Sequence, residues 1–235
     1  MQTPAPLPLD PPFALWAMPM SQSTFTILLG GELSLTERLR DAIRDSRFIA
    51  ADGGMRHAAA LGIQPELWVG DFDSTPADLE GAFPVVPKQP YPAAKAETDG
   101  EIAVSEAIAR GARRLILAGA LGGERSDHAL QHLLSAVNLA EQGFEMLLTS
   151  GKEEAVPLLA GTIELDLPKG SLFSVPGFSE LTGLFIENAR YPLKDFHLPF
   201  GSSRTISNVA EGKVRFSLRS GRAIVLARPY DLSGV

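Results

Sequence analysis

Short runs of β-branched and aliphatic residues alternate with segments of helical periodicity through the first two thirds of the chain. The runs end in glycine or aspartate and span residues 24–29, 47–51, 67–69 and 114–118. Between them, apolar residues recur near every 3.6 positions in residues 35–46, 98–110 and 126–142, the last through Leu130, Leu133, Leu134 and Val137. Gly111 and Gly143 are placed to end two of these helices. The pattern predicts βαβ units and an open parallel sheet, and ligands of such sheets bind beyond the carboxyl ends of the strands.

The pattern changes after about residue 150, where helical periodicity stops and short alternating runs begin. Residues 213–218 place Val214, Phe216 and Leu218 on one face. A turn at residues 219–222 and a return at 223–227 would complete a β-hairpin. Further strands are predicted at residues 171–175 and 183–187. We therefore expect an α/β domain over residues 23–152 and a smaller all-β domain over residues 153–235.

Residues 1–22 are proline-rich and contain neither lysine nor arginine. They do not fit a signal peptide, and proline at this density disfavours both helix and central strand. We expect a disordered arm.

Composition narrows the possible chemistry. The chain has 235 residues and no cysteine, which excludes disulfides, thiolate metal sites and a cysteine nucleophile. Lys+Arg 21 against Asp+Glu 28 gives a net charge of −7, which argues against nucleic-acid binding through a general basic surface. Apolar runs fall short of the roughly 20 residues needed to span a bilayer. We expect a soluble, cytoplasmic protein whose partners are neither nucleic acid nor membrane.

The segment Gly70-Asp71-Phe72-Asp73-Ser74 carries the strongest candidate chemistry. If the chain stays extended there, Asp71 and Asp73 lie on one side and Phe72 on the other. Two carboxylates would then converge, as Mg²⁺ bound to a nucleotide requires. A turn is the alternative, because Asp and Ser favour turns.

Three further segments carry candidate ligand contacts. Asp52-Gly53-Gly54 would allow close backbone approach to a ligand or, alternatively, form a strand-to-helix turn. Thr98 and Glu101 fit a helix capping box, which leaves Asp99 as the residue in need of another role. Residues 119–128 form a glycine-rich strand-to-helix connection in which backbone N–H groups and Arg125 can bind phosphate. The chain's histidines are interpreted as ordinary core or surface residues.

The order and spacing of these segments resemble the thiamin pyrophosphokinase family. The resemblance rests on Asp52-Gly53-Gly54, the 70–74 segment, Thr98-Asp99, Gly122-Gly123, Arg125-Ser126-Asp127-His128 and the C-terminal Arg204-Thr205-Ile206-Ser207-Asn208. It implies a Rossmann-like parallel sheet with helices, followed by a smaller β-sandwich domain. It also implies transfer of the diphosphate of ATP to the hydroxyl of thiamin, which yields thiamin diphosphate and AMP, in a homodimer with its active sites at the subunit interface.

The resemblance also implies roles for individual residues. Mg²⁺ and the ATP phosphates would be held by Asp71, Asp73 and Asp99, and catalysis would involve these acids together with Arg125 and Asp127. The nucleotide would contact Asp52, Gly53, Gly54, Gly122, Gly123, Arg125 and Asp127. Thiamin would contact Thr98, Ser207 and Asn208, and Tyr230 is a candidate for stacking on its rings.

Two positions depart from the family pattern. Ala96 stands where an acid is expected, with Glu97 beside it, and Glu124 is inserted before Arg125. These departures keep two alternatives open. One is a diphosphokinase of the same fold that acts on another alcohol, such as a hydroxymethyl pterin. The other is a catalytically silent nucleotide-binding protein.

Overall fold

The structure is a computed structural model that describes residues 23–73, 76–92 and 96–234. The predicted arm, residues 1–22, lies outside the described residues, as do Ser74 and Val235. The strands are β1 (Thr24–Leu28), β2 (Arg47–Ala51), β3 (Leu67–Gly70), β4 (Lys88–Pro90), β5 (Arg114–Ala118), β6 (Glu145–Thr149), β7 (Glu154–Leu158), β8 (Gly161–Leu165), β9 (Leu172–Ser174), β10 (Leu181–Ala189), β11 (Leu193–Leu198), β12 (Asn208–Leu218) and β13 (Ala223–Arg228). The helices are α1 (Glu37–Ile43), α2 (Arg56–Leu61), α3 (Ala77–Ala82), α4 (Asp99–Ala109) and α5 (Ser126–Glu141), and a 3₁₀ turn at Asp52–Met55 precedes α2.

The first six strands form a parallel sheet in the order β6-β5-β1-β2-β3-β4. Its central strands are apolar and buried, as expected for a sheet covered by helices on both faces. The chain builds outward from β1 to β4 and then returns to β5 on the other side of β1. The strand order therefore reverses between β1 and β5, and this reversal creates a crevice at their carboxyl ends.

Antiparallel strands extend the same sheet and build a second one. β7 pairs with β6, and β13 and β9 follow, while β8, β12, β10 and β11 form the second sheet. The two sheets enclose an apolar core, in which the rings of Phe173 and Phe216 pack edge to face at 5.2 Å. The predicted fold class, a parallel α/β sheet followed by a smaller β-sandwich, is confirmed. The position of the domain boundary, between residues 152 and 153, stays a prediction.

The predicted hairpin between residues 213–218 and 223–227 is wrong. Both segments are strands, and Val214, Phe216 and Leu218 are buried as expected, but β9 lies between β12 and β13. β12 starts in the first sheet, where Asn208 pairs with β9, and ends in the second sheet, where it pairs with β8. The turn at 219–222 therefore carries the chain from one sheet to the other.

The predicted helices are present as α1, α4 and α5, and Gly111 and Gly143 follow α4 and α5 with φ of 91° and 92°. The apolar stripe predicted on α5 is only partly buried. Val137 is 4% exposed, whereas Leu130 and Leu134 are 52% and 44% exposed. Leu133 packs against the buried core, so part of the predicted stripe contacts the domain while Leu130 and Leu134 remain exposed. Helices long and apolar enough to cross a membrane do not occur in the described ranges.

Candidate functional site

A cleft of about 650 Å³ opens where the strand order reverses. Its walls come from the connections that follow β1, β2, β3 and β5 and from the first turns of α4 and α5. Eight of the site residues predicted from the sequence line this cleft: Asp52, Gly53, Asp71, Thr98, Asp99, Gly122, Gly123 and Arg125. The fold thus brings together residues that lie up to 73 positions apart in the sequence.

The connections after β1 and β5 lie against each other at the base of the cleft. Gly31 N–H donates to the Gly119 carbonyl at 3.1 Å. A Cβ at Gly31 would lie 2.3 Å from that same carbonyl oxygen, so only glycine fits there. Gly119, Gly122 and Gly123 have φ between 76° and 90°, which favours glycine. This backbone-lined base lets a ligand approach the main chain.

Asp52 enters the cleft from the end of β2. Its φ of 43° is unusual for a residue other than glycine, and its carbonyl accepts a hydrogen bond from the Trp68 indole Nε1 at 2.9 Å. Gly53 lines the cleft, but Gly54 does not. A Cβ at Gly54 would lie 2.1 Å from the Leu28 carbonyl oxygen, so this glycine allows the close approach of the turn to β1.

The extended conformation expected across Asp71 and Asp73 is wrong, and the turn is correct. β3 ends at Gly70, Phe72 is left-handed with φ of 60°, and Asp73 N–H donates to Asp71 Oδ1 at 3.2 Å. Asp71 lines the cleft, whereas Asp73 is exposed outside its lining. The role predicted for Asp73 stays a prediction.

The start of α4 forms the wall opposite the glycine connection. The predicted capping box is present: the Thr98 hydroxyl accepts from Glu101 N–H at 3.2 Å, and Thr98 N–H donates to the Glu101 carboxylate at 2.9 Å. Asp99 in the first helical turn lines the cleft, and so does Glu97. Glu97 therefore supplies an acid beside Ala96.

Arg125 and Asp127 form an ion pair at the start of α5. The guanidinium donates to both carboxylate oxygens, at 2.9 and 2.8 Å, and lowers the pKa of Asp127 well below its usual range. Arg125 lines the cleft, whereas Asp127 does not and contacts the guanidinium of Arg125. Arg125 also occupies the N-cap position of α5.

The sequence pattern missed several residues of the cleft. Arg56 lines it and donates to the carbonyl of Gly31 at 3.1 Å, and His132 lines it and bonds the Ala120 carbonyl through Nδ1 at 3.1 Å. Burial lowers the pKa of His132. Glu32 and Glu124 add further acids. The available signal was position, because Arg56 comes two residues after the Asp52-Gly53-Gly54 turn.

The predicted thiamin residues of the β-sandwich lie away from this cleft. Asn208 is 5% exposed. Its side-chain Nδ2 donates to the Tyr191 carbonyl at 2.8 Å, and its Oδ1 accepts from Tyr191 N–H at 3.1 Å. Ser207 has φ of 60° and donates its N–H to the Ser174 hydroxyl. Tyr230 accepts from Arg38 N–H, also outside the cleft lining. Within one chain, the cleft therefore contains Thr98 but none of these three residues.

The acids of the cleft fit a cation that is shared with a ligand. The described ranges contain no group of three or more histidine, aspartate or glutamate side chains that could hold a metal ion by themselves. Mg²⁺ in nucleotide sites binds one or two carboxylates together with phosphate oxygens and waters. Asp71 and Asp99, with Asp52 beside them, supply carboxylates of this kind around the cleft.

Comparisons with known proteins agree with this architecture. The model of the thiamin pyrophosphokinase catalytic domain matches residues 41–148, and the model of the vitamin B1 binding domain of the same enzyme matches residues 162–222. The chain is similar to the thiamine pyrophosphokinase of Bacillus subtilis (strain 168), with 26% identity over 211 residues, which cover 86% of this chain and 97% of that protein.

Solved structures give the same result. A thiamin pyrophosphokinase from Geobacillus thermodenitrificans superimposes with a TM-score of 0.76 at 28% identity and covers 90% of this chain and 100% of its own. The enzyme from Candida albicans, at 13% identity, shares the fold with a TM-score of 0.70 over 94% of this chain and 98% of its own. The two domain models together span most of the sequence, and the chain therefore belongs to the thiamin pyrophosphokinase family of diphosphotransferase enzymes.

Proposed function

We propose that this protein transfers the terminal diphosphate of ATP to the hydroxyl of thiamin and releases AMP. The observation that carries the proposal is the cleft between β1 and β5. It combines a glycine-lined base, the carboxylates of Asp71 and Asp99, and Arg125, in a chain that matches both domains of the family. Polyphosphate needs backbone donors, a cation and an arginine, and this cleft offers a place for each.

The nucleotide would lie with its phosphates over the glycine connection. Backbone N–H groups around Gly122 and Gly123 and the start of α5 favour negative charge. Mg²⁺ bound there would neutralise phosphate charge and polarise the phosphorus that is attacked. Asp71 and Asp99, with Asp52 nearby, are the residues that would hold it, and Asp73 is a further candidate from the sequence.

The reaction needs charge stabilisation and a proton acceptor. The thiamin hydroxyl oxygen forms a bond to the β-phosphorus of ATP, the bond from that phosphorus to the α,β-bridging oxygen breaks, and AMP leaves. The planar guanidinium of Arg125, oriented by Asp127, is suited to bind the phosphate oxygens on which charge develops. A carboxylate of the cleft accepts the hydroxyl proton.

Thiamin would bind between two copies of the chain. Ser207 and Asn208 do not reach the cleft of their own chain, and Ile206 and Phe200, from the same β-sandwich, are 45% and 72% exposed. A homodimer in which these residues complete the partner's cleft, next to Thr98, would bring the predicted thiamin contacts together.

The test is a product assay with thiamin, ATP and Mg²⁺. We expect AMP and thiamin diphosphate in equal amounts. ADP with thiamin monophosphate would contradict the proposal, because it indicates transfer of a single phosphoryl group. Competition with a hydroxymethyl pterin distinguishes the alternative acceptor. Nucleotide binding without product from a folded dimer would support the silent binder.

A further inference from the structure

Trp68 contacts the two connections that carry Asp52 and Asp71. The indole is fully buried in β3, two residues before Gly70. Its Nε1 donates to the Asp52 carbonyl at 2.9 Å, across the gap between β3 and the end of β2. This is a hydrogen bond to a residue with φ of 43°, a conformation that needs support from its surroundings.

The same ring supports the turn that carries Asp71. Phe72, which has a left-handed φ of 60° and does not line the cleft, packs edge to face on Trp68 with 5.2 Å between ring centroids. The turn between Asp71 and Asp73 therefore depends on how the Phe72 ring packs. Trp68 provides one of its packing surfaces.

The two acidic connections also touch each other directly. A Cβ at Gly70 would lie 3.3 Å from Asp52 Cα and 3.5 Å from Asp52 Oδ1, so the backbone before Asp71 lies against Asp52. Trp68 contacts both sides of this junction. A shift of its ring would change the separation of the Asp52 and Asp71 carboxylates.

Lys88 contacts both rings of the Trp68–Phe72 pair. Its ammonium lies 5.0 Å from the Trp68 ring centroid and 5.4 Å from that of Phe72, and it pairs with Glu80 at 2.8 Å. A cation over two aromatic faces adds attraction and restricts ring movement. β4 and α3 thus also support the two rings, through residues that do not line the cleft.

We infer that Trp68 is a positioning residue that fixes the distance between the Asp52 and Asp71 carboxylates through its indole N–H and the Phe72 ring. The inference rests on the proposed function, because it assigns those carboxylates to the metal–nucleotide complex. Trp68 itself does not line the cleft. Its effect is therefore expected on binding of the metal–nucleotide complex and not on binding of thiamin.

The test compares Trp68→Phe with Phe216→Leu. Trp68→Phe keeps an aromatic ring and removes the N–H donor, whereas Phe216→Leu removes a comparable buried ring contact in the β-sandwich core. For Trp68→Phe we expect the half-saturating concentration of Mg·ATP to rise about fivefold, with that of thiamin unchanged. Calorimetric binding of a non-hydrolysable ATP analogue with Mn²⁺ should weaken by a similar factor. Phe216→Leu should lower the unfolding midpoint and change neither value.

A second variant protects the test against misfolding of the first. Lys88→Met removes the cation and keeps the apolar stem, and we expect a smaller shift in the same direction. Unchanged Mg·ATP saturation and unchanged analogue binding in both variants would overturn the inference. If the unmodified protein binds the analogue but makes no thiamin diphosphate, the proposed function fails, and the analogue binding of the two variants still decides the role of Trp68.

Discussion

Asp71 stabilises its own turn, and under the proposed function its carboxylate has a second purpose. Its Oδ1 accepts the Asp73 N–H at 3.2 Å and so stabilises the turn, while the side chain lines the cleft near Asp52. The hydrogen bond needs only an acceptor oxygen, whereas a metal–nucleotide complex needs the negative charge. The two purposes can be separated by a substitution that keeps the oxygen and removes the charge.

Asp71→Asn is that substitution. We expect a loss of turnover of at least about a hundredfold, with an unfolding midpoint close to that of the unmodified protein. Steady-state kinetics and thermal unfolding measure the two effects. The matched control is Asp45→Asn, an exposed acid outside the cleft, which should change neither. Near-normal activity of Asp71→Asn would remove the role that we assign to this carboxylate.

Residue-level geometry was the least accessible from sequence. The carboxylates, the glycines and Arg125 were predicted from their types and positions, and most of them line the cleft. Extended chain and turn both stayed open at Asp71-Phe72-Asp73, because a left-handed phenylalanine depends on the tertiary contacts of its ring with Trp68. Arg56 was missed because its position after the Asp52-Gly53-Gly54 turn is its one signal, and an arginine at the start of a short helix has no residue pattern of its own.

At the level of elements, α4 presents its first turn to the cleft. The capping box satisfies its terminal N–H groups through Thr98 and Glu101, which lets Asp99 lie in the first turn, where the helix dipole favours negative charge. The position of Asp99 therefore depends on the start of the helix.

Thr98→Ala removes the cap. We expect the free energy of unfolding to fall by about 1 kcal/mol, measured by urea denaturation. Thr98→Ser keeps a hydroxyl at the N-cap and should restore most of the stability. If alanine and serine gave equal stability, the capping interaction would not contribute to the fold.

A histidine from each of two helices forms a hydrogen bond with the connections that follow β1 and β5. His57 of α2 bonds the Gly31 carbonyl at 2.9 Å, and His132 of α5 bonds the Ala120 carbonyl. Burial lowers the pKa of each ring in the folded protein, against the opposing effect of the hydrogen bond. Below the ordinary histidine pKa of about 6.5, the unfolded chain therefore binds protons before the folded one.

The stability of the protein should consequently fall as pH drops below about 6.5 towards the lower folded-state values, and level off above pH 7. Urea unfolding between pH 7.5 and 5.5 measures this dependence. The double variant His57→Gln/His132→Gln should show a flatter profile. An equally steep profile in the double variant would contradict the assignment.

Long periodic elements were predictable, and short ones were not. The capping box and the glycines at 111 and 143 located α4 and the end of α5 from local chemistry alone. β4 spans three residues, and α2 and α3 span six each, too few to show a period. The hairpin error has a different origin, because strand pairing is decided by β9, which lies far away in the sequence.

At the level of the whole molecule, the two halves are continuous. β7 and β13 extend the parallel sheet, and the core between the sandwich sheets also includes Leu39 and Ile43 of α1. The orientation of Ser207 relative to the cleft of its own chain is thus fixed by packing. Under the proposed function, only a second copy can bring Ser207 to a cleft.

A mixing experiment tests this arrangement. Asp71→Asn and Ser207→Gly, which tolerates the φ of 60° at that position, should each be impaired when assayed alone. Dissociation and reassociation of a mixture should restore activity above the sum of the two, because one site of each mixed dimer combines the native Asp71 of one chain with the native Ser207 of the other. Activity equal to the sum, or a monomer in light scattering, would place the whole site in one chain.

The most direct measurement follows the diphosphate itself. ATP labelled on its γ-phosphorus is incubated with thiamin and Mg²⁺, and the label is traced by chromatography. We predict that the label appears in thiamin diphosphate, with one AMP formed for each labelled molecule. Label in free phosphate or in thiamin monophosphate, accompanied by ADP, would contradict transfer of an intact diphosphate.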